Sequence, residues 1–217
     1  MDKIPRMRTY EYRFRFALTL AGLLLGGQSP ACELPAGFVD PPRPDIAPLE
    51  ELVAHTEQID IARSLAAVMQ AGRRPLSEGI RPTRDLPGVS GTRNLTSGGF
   101  GTVGARRLVC LTDGSIALEE VLHSEVHSER RRFRYVVWNY TSPKFRDVQY
   151  AVGEFIHTQP APDQTRVNWT YRFALKEGRD PTLFRKDFLD SAFAEWMRSL
   201  LERGRSNAEA APAADVE

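Results

Sequence analysis

The chain is poor in cysteine, since only Cys32 and Cys110 occur among its 217 residues. Two cysteines do not supply the disulfide framework of a small secreted scaffold. Cys110 falls inside a strand-like segment and is interpreted as a small buried hydrophobe. A catalytic thiol is therefore not expected, because a reactive cysteine needs exposure and a lowered pKa.

The chain also lacks an excess of charge, with a net charge of +1. Residues 1–31 contain five basic and two acidic side chains, so the remainder carries −2. A nearly neutral body excludes nucleic-acid binding, which requires a basic face. The densest basic cluster, Arg130–Arg132 with Arg134, is offset by Glu125 and Glu129 and is predicted to be a solvated strand end.

Neither a metal site nor a cofactor site is expected. His123 and His127 have a spacing that suits zinc on a helix, but they fall at a strand end and in a turn without a third ligand. The motif Gly99 to Gly104 has the spacing G-x-G-x-x-G, but a strand follows it at Ala105 where a nucleotide loop would open a helix. We interpret it as a flexible hairpin loop at the lip of a cavity.

No apolar run reaches the roughly 20 residues of a membrane-spanning helix. The longest, Phe16 to Gly27, follows a basic stretch and precedes the small residues Ser29 and Ala31, which are the parts of a secretory signal. We therefore predict an exported protein, periplasmic or associated with the envelope; an apolar N-terminal extension is the alternative. Cys32 directly after Ala31 raises the idea of a lipoprotein, but the usual leucine three places earlier is absent.

Four regions follow from composition. Residues 1–31 form the leader, and residues 32–51 form a stiff linker rich in proline. Residues 52–204 form one folded domain. Residues 205–217, rich in alanine and acidic side chains, form a disordered tail.

The domain is predicted to be an antiparallel sheet. A first strand at Leu52–Ile61 and a short helix at Ala62–Ala71 precede a strand at Val89–Leu95. Short connections join all later strands, which makes them antiparallel neighbours, and Asp113-Gly114 favours a type I′ turn. These later segments are Ala105–Thr112, Ser115–His123, Arg131–Tyr140, Phe145–His157 and Thr165–Leu175.

A long helix is predicted from Pro181 to Arg203, capped by Asp180 and ended by Gly204. It would be roughly 34 Å long. One broad face carries aromatic and aliphatic side chains at helical spacing, so the helix needs a large concave partner. The members of that face are Phe184, Phe188, Leu189, Ala192, Phe193, Trp196, Met197, Leu200 and Leu201.

Six short segments resemble the START/Bet v 1-like (SRPBCC) superfamily, most closely its polyketide cyclase/dehydrase-like branch. The resemblance covers roughly Leu52 to Arg203 and implies an α+β helix-grip fold, in which a curved antiparallel sheet of about seven strands wraps around a long C-terminal helix. The segments are Leu86-Pro87-Gly88-Val89, Gly104-Ala105-Arg106-Arg107, Leu111-Thr112-Asp113-Gly114, Glu119-Glu120-Val121-Leu122, Tyr135-Val136-Val137-Trp138-Asn139-Tyr140 and Trp169-Thr170-Tyr171-Arg172-Phe173.

Alternation along the strands predicts which side chains face the interior. Two of the apolar faces carry one carboxylate each, Glu120 and Glu154, and a buried unpaired carboxylate is costly. Each is either paired with Arg106, Arg107 or Arg134, or exposed at the rim of the sheet, or set at the polar end of a cavity. In the cavity it would bind a ligand or act as a catalytic acid or base. The predicted cavity residues are Leu118, Glu120, Arg134, Tyr150, Glu154, Trp169, Tyr171, Phe173, Phe188, Phe193 and Trp196.

The resemblance implies an apolar small molecule, such as a lipid or a polyketide-like compound, between sheet and helix. We expect a carrier of such a molecule. The alternatives are a cyclase/dehydratase-type enzyme using Glu120, Glu154, Arg134 and Tyr150, and an envelope protein whose interior is filled by its own side chains. Contact with a membrane surface, and a monomeric or dimeric state, are left open.

Overall fold

The computed structural model describes residues 32–211 and shows one sheet of seven antiparallel strands in the order β1-β7-β6-β5-β4-β3-β2. The predicted α+β class and the number of strands are confirmed. The predicted leader and the last six residues lie outside the described residues. The strands are β1 (Val53–Ile61), β2 (Val89–Asn94), β3 (Arg106–Leu111), β4 (Ile116–Val126), β5 (Arg130–Trp138), β6 (Val148–Ala161) and β7 (Gln164–Leu175).

Two short helices connect β1 to β2. Helix α1 (Leu65–Ala71) begins where the Ser64 hydroxyl accepts a hydrogen bond from the Ala67 amide, and helix α2 (Leu76–Gly79) is a single turn. The turn between β3 and β4 is not of the predicted type I′. Of its residues only Gly114 has a positive φ, 82°, whereas a type I′ turn needs two such residues.

The C-terminal helix changes its hydrogen-bonding pattern along its length. It is α-helical in α3 (Pro181–Phe184), π-helical over Arg185–Phe193, and α-helical again in α4 (Ala194–Ala210). The Ala194 amide, for example, donates to the carbonyl of Leu189, five residues earlier. A π segment inserts an extra residue into the helix. From the π segment onward, the most deeply buried large side chains of the helix are those of Leu189, Phe193, Met197 and Leu201.

The helix also continues six residues beyond Gly204, where the sequence predicted its end. The guanidinium of Arg63 donates hydrogen bonds to the carbonyls of Ala208, Glu209 and Ala211 at 3.2, 2.7 and 2.8 Å. A cation that satisfies the last carbonyls stabilises a helix C-terminus. The predicted disordered tail is thus helical as far as Ala210.

Residues 32–52, here called the N-terminal strap, pack across the outer face of the sheet, the face turned away from the C-terminal helix. The sequence predicted a linker, but Phe38, Ile46 and Leu49 contact a second apolar cluster on that face. That cluster consists of Leu108, Ile116, Leu118, Val136, Trp138, Tyr150 and Val152. The sheet is therefore covered by apolar contacts on both of its faces.

A disulfide between Cys32 and Cys110 fixes the start of the strap to β3, with the two Cα atoms 5.6 Å apart. The interpretation of Cys110 as a small buried hydrophobe is therefore wrong. The strap makes the bond possible, because it brings a residue 78 positions away in sequence onto the outer face of β3.

Among residues 32–211, no helix combines the length and the apolar character needed to cross a bilayer.

Candidate functional site

A cavity of about 780 Å³, partly open to solvent, lies between the inner face of the sheet and the C-terminal helix, with α1 and α2 beside it. Its volume is within the range of about 300–1,000 Å³ that is typical of small-molecule sites. Most of the wall is apolar or aromatic. Its largest side chains are Phe133, Phe155, Trp169, Tyr171, Phe193 and Trp196.

Aromatic contacts hold the helix over the β1 and β7 half of the sheet. The ring centroids of Trp169 and Trp196 are 5.6 Å apart, and those of Tyr171 and Phe193 are 5.1 Å apart. Pairs at this separation add stability beyond the burial of their area. Side chains of β3, β4 and β5 form the opposite wall of the cavity, including Val109, Ala117 and Val137.

A pair of tyrosines lies on the inner face of the central strands. The Tyr135 hydroxyl donates a hydrogen bond of 2.9 Å to the Tyr171 hydroxyl, across Gly153, which is paired with both residues in the sheet. A Cβ atom at Gly153 would lie 2.4 Å from the Tyr135 ring. Glycine is therefore required at this position, because any side chain would displace the tyrosine pair.

One buried ion pair faces the cavity. Arg107 donates a hydrogen bond from Nε to the Oε2 atom of Glu119 at 2.6 Å, and the guanidinium stacks over the Phe100 ring at 3.7 Å. Phe100 belongs to the glycine motif, so that motif is a loop at the cavity, as predicted, with a strand after it. Burial, together with the negative charge of Glu119, raises the pKa of Tyr135 and Tyr140, so their hydroxyls stay protonated.

His157 lies in the cavity wall with only 7% of its surface exposed. Its ring stacks on Phe155, and its Nδ1 atom has no hydrogen-bond partner in residues 32–211. Burial, assisted by the positive charge of Arg131, lowers the pKa of His157 to about 4. The imidazole is therefore neutral near pH 7.

Four of the predicted cavity residues, Trp169, Tyr171, Phe193 and Trp196, line the cavity. Phe173 and Phe188 also lie on the inner side, but they do not line the cavity, and their rings pack with those of Phe184 and Phe145. The remaining predicted residues lie on the outer face.

On that outer face, Leu118, Glu120 and Tyr150 are associated with the strap. Leu118 and Tyr150 belong to the apolar cluster beneath it, and the Tyr150 hydroxyl accepts a hydrogen bond of 2.9 Å from the Ala47 amide. Glu120 forms ion pairs with Arg43 of the strap at 3.1 Å and with the predicted partner Arg106 at 3.7 Å. The cavity position predicted for Glu120 is therefore wrong, and pairing, the alternative, is what the structure shows.

Glu154 is buried on the outer face among three arginines. Its carboxylate oxygens lie 2.7 Å from Arg132, 2.9 Å from Arg134 and 3.5 Å from Arg172. Burial alone would raise the pKa of Glu154, but the hydrogen bond from Arg132 and the charge of Arg134 outweigh it and lower the pKa. Glu154 and Arg134 thus form a surface ion-pair cluster on the side of the sheet opposite the cavity.

The sequence analysis predicted the wrong inward-facing sides of β4 and β6, because both faces of each strand carry apolar residues. Alternation separates two faces without saying which of them points inward, and the strap makes the outer face as apolar as the inner one. The polar cavity residues Arg107, Glu119 and His157 were therefore missed. Arg131 was missed too, because the sequence predicted a solvated strand end at Arg130–Arg132, whereas the Arg131 side chain is half-buried in the cavity wall. Glu119 could have been found from its neighbour, since adjacent strand residues face opposite ways.

No cluster of three or more potential metal ligands occurs within the part of the chain that the structure describes. His123 and His127 instead share a carboxylate, because both Nε2 atoms contact Glu125, at 3.3 and 2.7 Å.

No family model and no curated protein matches the chain. Among solved structures, a START superfamily protein from Mycobacterium smegmatis matches with a TM-score of 0.51 and 10% identity, over 72% of this chain and 97% of that one. The chain has the helix-grip fold of the START/Bet v 1-like superfamily. The aromatase/cyclase from Streptomyces sp. R1128 gives a TM-score of 0.51 at 16% identity, over 72% and 93% of the two chains. A hypothetical protein from Helicobacter pylori gives 0.56 at 10% identity, over 78% and 99%. At these identities the similarity concerns the fold alone, and it confirms the predicted one.

We predict that His157 makes the protein sensitive to mild acid. Between pH 6.5 and about 4 the unfolded chain takes up a proton at this histidine while the folded protein does not, so stability falls as the pH falls through this window. The free energy of unfolding should decrease by about 3 kcal/mol over this pH range. In His157→Leu this loss should be absent, as measured by urea unfolding at pH 7, 5.5 and 4. His127→Leu is the control for loss of an imidazole outside the cavity, and equal pH dependence in wild type and His157→Leu would contradict the assignment.

Proposed function

We propose that the protein binds and carries an apolar small molecule in the cavity between sheet and helix. The observation that carries this proposal is the cavity volume of about 780 Å³, lined by mostly aromatic and aliphatic side chains. A protein whose interior is filled by its own side chains, the structural alternative, would have no space of this size. Burial of a ligand against such a wall contributes roughly 25 cal/mol per Å² of apolar surface.

The polar groups at the end of the cavity near Glu119 suit orientation of the ligand more than strong charge attraction. Arg107 and Glu119 neutralise each other, and the tyrosine hydroxyls are uncharged. The hydrogen bond between Tyr135 and Tyr171 uses one of their two hydroxyl hydrogens, so the other is available to a carbonyl or hydroxyl oxygen of the ligand. A few such groups in an apolar wall are typical of small-molecule sites.

A second candidate is a cyclase/dehydratase-type enzyme acting on a polyketide-like substrate, and the position of Glu119 favours it. This carboxylate is buried in the cavity wall, and Arg107 contacts only its Oε2 atom. It could accept a proton from a carbon next to a substrate carbonyl while the Tyr171 hydroxyl donates to the carbonyl oxygen. The fold shared with the Streptomyces aromatase/cyclase is compatible with this activity.

We also propose that the protein is exported. The leader pattern of residues 1–31 supports this proposal, and the disulfide adds to it, because disulfides persist mainly in oxidising compartments. The same bond argues against a lipid anchor, since the sulfur of Cys32 is joined to Cys110 and is not a free thiol.

The carrier proposal predicts that filling the cavity abolishes binding. Ala117 is buried at the cavity wall on β4, so Ala117→Phe places a ring in the space that the ligand needs. A fluorescence titration with the uncharged dye Nile red should show at least a tenfold loss of affinity. Gln58→Phe adds the same ring at an exposed position of β1 and should change the affinity less than twofold. Unchanged binding to a folded Ala117→Phe variant would place the dye elsewhere and refute the proposal.

The enzyme candidate predicts a different result for Glu119→Gln. This substitution keeps the size of the side chain and its contact with Arg107 but removes the base. Turnover of a poly-β-carbonyl thioester should fall by about 10²- to 10⁴-fold, the usual contribution of a general base. Binding of Nile red should survive. Full turnover by the Glu119→Gln variant, or none by wild type, would leave the carrier function as the better account.

The export proposal predicts a shortened protein in the periplasmic fraction of the source bacterium. Sequencing its N-terminus should give a start close to Cys32, and its mass should match an unlipidated chain. Its electrophoretic mobility should change on reduction, because the disulfide closes a long loop. Full-length protein in the cytoplasmic fraction would contradict export.

A further inference from the structure

Arg131 is a half-buried cation in the cavity wall without a carboxylate partner. No acidic side chain of residues 32–211 lies within ion-pair distance of it. Its Nη1 atom donates to the sulfur of Met69 at 3.1 Å, and its guanidinium lies 5.3 Å from the centre of the Phe133 ring. A guanidinium has five N–H donors, so these two weak partners leave most of its hydrogen-bonding capacity unused.

His157 lies directly opposite Arg131 in the pairing of β5 with β6, and both side chains line the cavity. Side chains at such opposed positions have Cβ atoms about 5 Å apart. The Nδ1 atom of this histidine is buried without a partner in the described residues. Two polar side chains with unused hydrogen-bonding groups thus adjoin at one end of an otherwise apolar wall.

The other charged pair of the cavity is distant from this end. Glu119 is aligned with Val137, six residues along β5 from Arg131, which corresponds to roughly 20 Å. Arg107 already compensates its charge. Phe133 and Tyr135 line the cavity between the two ends. The cavity is therefore elongated, neutral at one end and positively charged at the other.

The two acidic side chains nearest in sequence, Glu129 and Glu125, do not pair with Arg131. Glu129 is exposed in the turn before β5. Glu125, on β4, is held by His123 and His127 at the surface. Of the other arginines that line this cavity, Arg74 is paired with Glu78 at 3.9 Å and Arg107 with Glu119. Arg73 is exposed to solvent at the rim, whereas Arg131 is half-buried. Arg131 is thus a cation positioned to receive an anion from inside the cavity.

We propose that the ligand is an amphiphile with a carboxylate, whose head group binds Arg131 beside His157 while its apolar part lies along the aromatic wall. This ligand class deepens the proposed carrier function and rests on it. A carboxylate matches the planar guanidinium and forms charge-assisted hydrogen bonds with it. The carbon chain would extend from Arg131 past Phe133 and Tyr135.

The experiment compares two probes that differ only in their head group, cis-parinaric acid and its methyl ester, by fluorescence titration at pH 7.4. Wild-type protein should bind the acid at least tenfold more tightly than the ester. Arg131→Met keeps an unbranched apolar stem beside Met69 but removes the charged guanidinium. It should weaken binding of the acid at least tenfold and change binding of the ester less than twofold.

Arg130→Met is the matched control, because Arg130 is the preceding residue of β5 and is exposed. It should leave both affinities within twofold of wild type. Arg131→Lys keeps the charge and should retain most of the preference for the acid. It also provides a second test if Arg131→Met does not fold.

The failure of this inference differs from the failure of the carrier function. Equal affinity of wild type for acid and ester, or an unchanged preference in Arg131→Met, overturns the carboxylate assignment while the Nile red result stands. If neither parinaric probe nor Nile red binds to the wild type, both proposals are refuted.

Discussion

The contact between the aromatic side chains of β7 and those of the C-terminal helix is the constraint on which the rest of the structure depends. Trp169 and Tyr171 hold Trp196 and Phe193 over one half of the sheet. The curved sheet carries β3, β4 and β5 around the helix to form the opposite wall. The cavity is the space between this aromatic contact and that wall.

The same sheet is stabilised from its other side by the N-terminal strap. A disulfide, an ion pair from Arg43 to Glu120 and a hydrogen bond to Tyr150 attach the strap to three different strands. The outer face can therefore be apolar without being exposed. A sheet covered on both faces can tolerate an incompletely filled interior, because its strands remain packed from outside.

Charge is distributed differently on the two faces. On the outer face, Glu154 is compensated by three arginines, and such a cluster is best regarded as structural. In the cavity wall, Arg107 and Glu119 compensate each other, while Arg131 and His157 retain unused hydrogen-bonding groups. Unused polar groups in an apolar cavity are the features that a ligand can exploit, so the inner face is where specificity resides.

The sequence by itself determined the strands, their antiparallel order and the existence of the long helix, since these depend on local alternation, short connections and the Asp180 cap. It also identified Trp169, Tyr171, Phe193 and Trp196 as interior residues, because β7 and the helix each have only one strongly aromatic side. The tertiary structure decided which faces of β4 and β6 point inward, and hence that Glu119 and not Glu120 meets the cavity. It decided the partner of Cys32 and, through Arg63, the end of the helix. These features depend on contacts between segments far apart in the chain, and local patterns do not encode such contacts.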